Sequence, residues 1–153
     1  PVALGDVLRA AVIDLSDEAA RREIAISLDI PETLPTVLGD AVRLQQAVGA
    51  VLRNALLYTP NSAPVSVRAE QDGRAVRCVV QDRGFGMAPD DLSKAFDRLW
   101  RSADARVQAI PGGGIGLTMA RAIVQRHGGR MAIDSAPGEG TTVTLTLPIL
   151  ESW

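Results

Sequence analysis

Apolar residues recur every three or four positions through residues 4–20, where Leu4, Leu8, Ala11, Val12, Leu15 and Ala19 share one helical face. The period changes over 23–30. There Ile24, Ile26, Leu28 and Ile30 alternate with Glu23, Ala25, Ser27 and Asp29, the pattern of a half-buried strand, which Pro31 and Pro35 stop. Helical spacing returns with Leu44, Ala47, Val48, Val51, Leu52 and Ala55 behind Asp40, a candidate N-cap, and Pro60 ends this helix. Residues 64–70 and 75–82 read as strands joined around Asp72-Gly73, a dipeptide typical of tight hairpins. A glycine-punctuated loop over 82–87 leads into a short amphipathic segment, 89–100. Residues 101–114 carry no periodic pattern and end in three glycines. A helix over 116–127 is predicted to stop at Gly128-Gly129, and strands over 131–135 and 142–147 close the chain across a turn at 137–140. This order predicts an α/β (α+β) two-layer sandwich, with a mixed, mostly antiparallel sheet backed by about three helices.

Composition narrows the function classes. A chain of 153 residues with 46% hydrophobic and 22% charged positions is one globular domain with a core of its own. Sixteen basic against 18 acidic residues leave a net charge of −2, so no global basic field favours nucleic acid as a partner. Cys78 is the single cysteine and His127 the single histidine, which excludes an internal disulfide framework, a multi-cysteine zinc site and any mechanism needing two histidines from this chain. No apolar run approaches the roughly 20 residues that span a bilayer, and no secretory leader is visible. The expectation is a soluble domain without direct membrane insertion.

The candidate chemistry lies at loop edges. Gly112-Gly113-Gly114-Ile115-Gly116-Leu117 runs directly into a predicted helix. Glycines let a backbone approach a ligand closely, and a helix N-terminus offers free N–H groups to phosphate. A plain flexible loop fits the same residues, whereas a dinucleotide fingerprint fits worse, because no strand–helix–strand unit surrounds them. Asp82 stands where the apolar strand 76–80 runs out. Its carboxylate could accept from an amine such as adenine N6, or it could be a turn aspartate bonded to its own backbone. Asn54 lies about 90° from the centre of its helix's apolar stripe. Its amide oxygen could ligate a hard cation such as Mg²⁺, or simply face solvent.

Their order along the chain adds more than any one of them. Asp40-x-x-Arg43-Leu44-Gln45-Gln46 with Arg53-Asn54-Ala55-x-x-Tyr58-Thr59-Pro60 resembles the N box of sensor histidine kinases. Asp82-x-Gly84-x-Gly86 is similar to their first glycine box, Ala95-Phe96-Asp97-Arg98-Leu99-Trp100-Arg101 to their F box, and the run from Gly112 to Leu117 to their second glycine box. His127-Gly128-Gly129 and Gly138-Glu139-Gly140-Thr141-Thr142 follow in the family's places, so the resemblance covers nearly the whole chain.

The resemblance implies a catalytic and ATP-binding domain of the gyrase–histidine kinase–MutL type, excised from a longer, often membrane-anchored sensor whose cytoplasmic side it would occupy. By resemblance, Asp82 takes the adenine amine with Thr141 nearby, Gly84 and Gly86 shape that pocket, and Tyr58 packs on the base. Asn54 holds Mg²⁺. Residues 101–111 form a long ATP lid carrying Arg101, docked by the Phe96 segment. Gly112, Gly114, Ile115, Gly116 and Leu117 meet the phosphates through their backbone. The implied partners are a dimerisation domain bearing the phosphoacceptor histidine, which would precede Pro1, and a downstream response regulator. His127 is read as a capping or packing residue. The chain departs from the family's pattern at Ala50 (usually Asn or acidic), Leu57 (usually basic), Gly113 (usually Thr or Ser) and Leu99 (usually aromatic), which thins the phosphate end. A nucleotide-binding pseudokinase and an anti-sigma-factor serine kinase are the alternatives.

Overall fold

The computed structural model describes residues 1–59, 63–84, 115–136 and 140–150. Helices α1 (Leu4–Asp14) and α2 (Ser16–Arg21) come first, then strand β1 (Ile26–Asp29) and the long helix α3 (Ala41–Tyr58). The hairpin β2 (Val65–Asp72) and β3 (Ala75–Asp82) follows, then helix α4 (Ile115–Arg126) and strands β4 (Arg130–Ala136) and β5 (Gly140–Pro148). Five strands form one sheet in the order β1-β2-β3-β5-β4. Among the described residues only the β1–β2 pairing is parallel. The expected mixed, mostly antiparallel sheet is therefore present. Helices α3 and α4 pack on it and α1 packs along α3.

Alternation along the strands explains the two layers. Val76, Cys78, Val80 and Asp82 of β3 point to the helical side with Val65, Val67 and Ala69 of β2 and Val143, Leu145 and Leu147 of β5. All are buried, and the apolar ones make one core with Leu44, Leu52 and Leu56 of α3 and Leu117, Ala120 and Val124 of α4. Cys78 belongs to that core, where burial pushes its thiol up to about 12. It is an apolar filler with no thiolate to offer.

Two sequence expectations are corrected. The periodicity over 4–20 predicts one helix, but the chain breaks at Leu15. The Ser16 hydroxyl donates to the Ile13 carbonyl (2.8 Å), a local bond that competes with the helical ladder, while Leu15 stays buried. The strand expected over 23–30 shrinks to Ile26–Asp29. Glu23 takes φ 57°, and the amides of Glu23 and Ile24 return to the carbonyls of Ala20 and Ala19, so both residues close α2 instead of opening a strand. Leu28 is consequently 41% exposed on an edge strand.

The helix ends are capped as their residues suggest. Asp40 Oδ1 accepts from the Val42 and Arg43 amides at 3.0 and 3.2 Å, which confirms the N-cap of α3. At the end of α4, the Gly129 amide reaches the Val124 carbonyl and the Gly128 amide the Gln125 carbonyl, with Gly128 at φ 76°. His127 joins the two ends. Its Nε2 accepts from the Asp40 amide at 3.0 Å, so Nδ1 carries the proton and donates to the Ile123 carbonyl at 2.8 Å. The capping role expected of this histidine is thereby realised. It also explains Gly39, where a Cβ would lie 2.3 Å from His127 Cδ2. Gly39→Ala should cost about 1–3 kcal/mol in the parent and little in a His127→Ala background. Urea unfolding of the four proteins of this cycle checks it, and equal costs in both backgrounds would refute the contact.

Candidate functional site

Topology gathers the polar residues at one end of the sheet. α3 and α4 run antiparallel, tied at Asp40 and His127. Fourteen residues onward in α3, about 21 Å away, stands Asn54; twelve residues back in α4, about 18 Å away, is its first residue, Ile115. Asn54 thus draws level with the N-terminus of α4. At the same end α3 gives way to β2, whose first residue, Val65, pairs with Asp82. Gly140 and Thr141 open β5 beside them.

Asp82 continues the inward row of β3, so the fold places a carboxylate where a valine would complete the core. It is 4% exposed. Its Oδ1 accepts from the Gly84 amide at 2.8 Å and from the Thr141 amide at 3.1 Å. The first bond is a turn aspartate's own; the second crosses to a strand 59 residues away and ties the ends of β3 and β5 together. Burial raises the Asp82 pKa from 3.8 to about 6, and the two amide bonds pull against that rise. With both described partners on Oδ1, Oδ2 is the oxygen left to receive an outside donor. Gly140 makes this junction possible. At φ 93° its Cα faces the Asp82 backbone, and a Cβ there would meet the Asp82 carbonyl oxygen at 2.2 Å.

Asn54 is 7% exposed, which corrects the solvent-facing alternative. It lines a cleft of about 710 Å³ over the outer face of α3, together with Ala50, Arg53, Leu57, Gly49 and Met119. That volume suits a small organic ligand. Asp82 does not line this cleft, and Thr141, 7% exposed, sits with Asp82. Leu117 belongs to the core, so only its backbone is available to a ligand. Ile115 and Gly116 form the first turn of α4, and Tyr58 is the last residue of α3. Gly86, Arg101, Gly112 and Gly114, with the expected lid, F-box segment and most of the 137–140 turn, lie outside the described residues.

Thr59, which stands in the N-box-like run without an expected role of its own, is 3% exposed with no hydrogen-bond partner for Oγ1 among the described residues. No local pattern marks its burial, since a hydroxyl after a helix is commonplace. Among the described residues no three His, Cys, Asp or Glu side chains form a metal cluster. Asn54 brings an amide oxygen to the cleft, a donor of the kind that hard cations accept. No helix among the described residues is long and apolar enough to cross a membrane.

Comparison with known proteins places the chain in a family and bears on its fold. The family described as histidine kinase-, DNA gyrase B-, and HSP90-like ATPase matches residues 39–151. The sensor-like histidine kinase SenX3 of Mycobacterium tuberculosis is 36% identical over 132 residues, 86% of this chain and 32% of its own length. The chain thus spans about a third of that relative. The mycobacterial sensor histidine kinase MprB superposes with a TM-score of 0.83 at 30% identity, covering 99% of both chains. Full-length ShkA, in a complex with AMPPNP, superposes with a TM-score of 0.83 at 29% identity over 99% of this chain and 31% of its own.

Proposed function

This chain belongs to the histidine kinase-, DNA gyrase B- and HSP90-like ATPase family, and from that premise we propose that it is the ATP-binding catalytic domain of a two-component sensor histidine kinase. It would pass the γ-phosphoryl group of ATP to a histidine on a separate dimerisation domain of the same protein, for onward transfer to a response regulator. The observation that carries the reading is the buried Asp82 carboxylate, held by Thr141 and Gly84 at the sheet end that also receives Asn54 and the N-terminus of α4.

In this reading Oδ2 of Asp82 accepts from the adenine amine, and Thr141 and Gly84 hold that carboxylate in place. Tyr58 packs on the base, and Gly86 completes the base pocket. The backbones of Gly112, Gly114, Ile115, Gly116 and Leu117 receive phosphate oxygens, aided by the partial positive charge of a helix N-terminus. Asn54 offers its amide oxygen to Mg²⁺, which when bound would neutralise phosphate charge. Arg101 supplies further charge. The sensor-kinase relatives support this over a serine kinase of anti-sigma factors. The parent protein would be a membrane-anchored sensor with this domain on the cytoplasmic side.

Ala50 and Leu57 line the cleft beside Asn54, and neither side chain can bind phosphate or metal. Transfer should therefore be slow. Single-turnover transfer from labelled ATP, measured on the domain with its native acceptor domain, should rise about tenfold or more with Ala50→Asn, and further when Leu57→Lys is added. Absence of transfer in all three proteins while ATP still binds would overturn the kinase reading and leave a pseudokinase.

A further inference from the structure

We propose that Arg53 is the residue that grips the polyphosphate of the nucleotide in this chain, a specificity determinant for triphosphate and diphosphate over the bare nucleoside; this rests on the adenine-nucleotide reading above. Arg53 is exposed and lines the cleft beside Asn54. It is the one cationic side chain among the described residues that line it. It has no ion-pair partner among the described residues, whereas Arg9, Arg22 and Arg77 are each paired with carboxylates.

Spacing lets Arg53 cover the uncharged ground around it. Ala50 lies three residues before it and Leu57 four after, the separations at which helical side chains are neighbours. A methyl group on one side and an uncharged branch on the other neither pair with the guanidinium nor compete for an anion. Arg53 also stands level with the first turn of α4, by the same register that places Asn54 there. A planar guanidinium at that point can bind two oxygens of one phosphate.

The cleft is polarised along α3 in the direction this requires. Its single carboxylate among the described lining residues is Asp14, held by Gln45 Nε2 at 2.6 Å. Gln45 precedes Arg53 by eight residues, about 12 Å along the helix. A polyanion entering the cleft is pushed away from Asp14 and drawn to the Arg53–Asn54 end.

The test is competition of ATP, ADP and adenosine against a fluorescent adenine nucleotide on the parent chain, Arg53→Ala and Arg53→Lys. Arg53→Ala should weaken ATP and ADP about tenfold and leave adenosine within about twofold, since a hydrogen bond to a charged group is worth at least a factor of ten. Arg53→Lys should keep part of that preference. Raising the salt concentration should narrow the parent's ATP-to-adenosine gap more than that of Arg53→Ala. An ATP-to-adenosine ratio within twofold of the parent's in Arg53→Ala overturns the proposal, and so does equal weakening of adenosine. The adenine reading fails separately, through a parent that does not prefer ATP to GTP.

Discussion

Asp82→Asn is expected to make the protein more stable at neutral pH and, at the same time, a poorer ligand for ATP. The carboxylate is buried, and its folded pKa of about 6 lies above its ordinary 3.8. The folded state therefore holds the proton more tightly than the unfolded chain. That gain is complete below about pH 3.8 and is lost as pH rises through about 6, so at pH 7 an ionised Asp82 weighs against folding. The gap corresponds to roughly 3 kcal/mol. An amide of the same shape avoids that cost but accepts the Gly84 and Thr141 amides less strongly, so the net gain should be about 1–2 kcal/mol. Urea midpoints of both proteins from pH 4 to pH 8 should diverge as pH rises, the variant being the more stable. Parallel curves would show that Asp82 is not buried as a charge. The same variant should bind ATP at least tenfold more weakly and lose its preference over GTP, because a neutral acceptor replaces a charged one at the adenine amine. Undiminished ATP affinity would reduce Asp82 to a turn residue.

Gly140→Ala should be among the most damaging glycine-to-alanine changes in the described part of the chain. The new Cβ would meet the Asp82 carbonyl oxygen at 2.2 Å and the Arg83 Cα at 2.8 Å, and both are backbone atoms with nowhere to rotate. The φ of 93° adds strain for any residue with a side chain. A loss of about 3–5 kcal/mol is expected, with the Asp82–Thr141 bond broken as the strand ends part. Gly49→Ala is the control. Its Cβ would meet nothing within 4 Å in the middle of α3, so the change should stabilise by about 0.5–1 kcal/mol. Thermal midpoints moving in opposite directions would bear this out. A Gly140→Ala protein as stable as the parent would show that the two strand ends do not touch.

Much of the fold was legible because local chemistry and long-range packing agree. Asp40 caps α3, the turn after Asp72 sets the β2–β3 register, and Gly128 ends α4, each acting on its own neighbours. The breaks at Leu15 and Glu23 were not legible, since apolar spacing runs through both and the competing bonds belong to single backbone groups. In the site, Asp82 and Asn54 stood out as residues, but their surroundings did not. Period-two alternation places Asp82 in the same row as Val76, Cys78 and Val80, a signal that it is buried. Its partner Thr141 and the glycine that lets the strands meet are 59 and 58 residues away, a distance no local pattern spans. Thr59 stands in the N-box-like run, but no local pattern signals its burial.

The bond between His127 and Asp40 makes the helix pair a lever fixed at the end away from the site. Asn54 sits about 21 Å from that fulcrum, so a tilt of only 5° would carry its amide roughly 2 Å. Displacements half that size can cost a hundredfold in reactions that depend on alignment. Angular play at Gly39 and His127 is thus magnified where phosphate would lie, and a slight loosening there would register first as lost affinity and only later as lost stability.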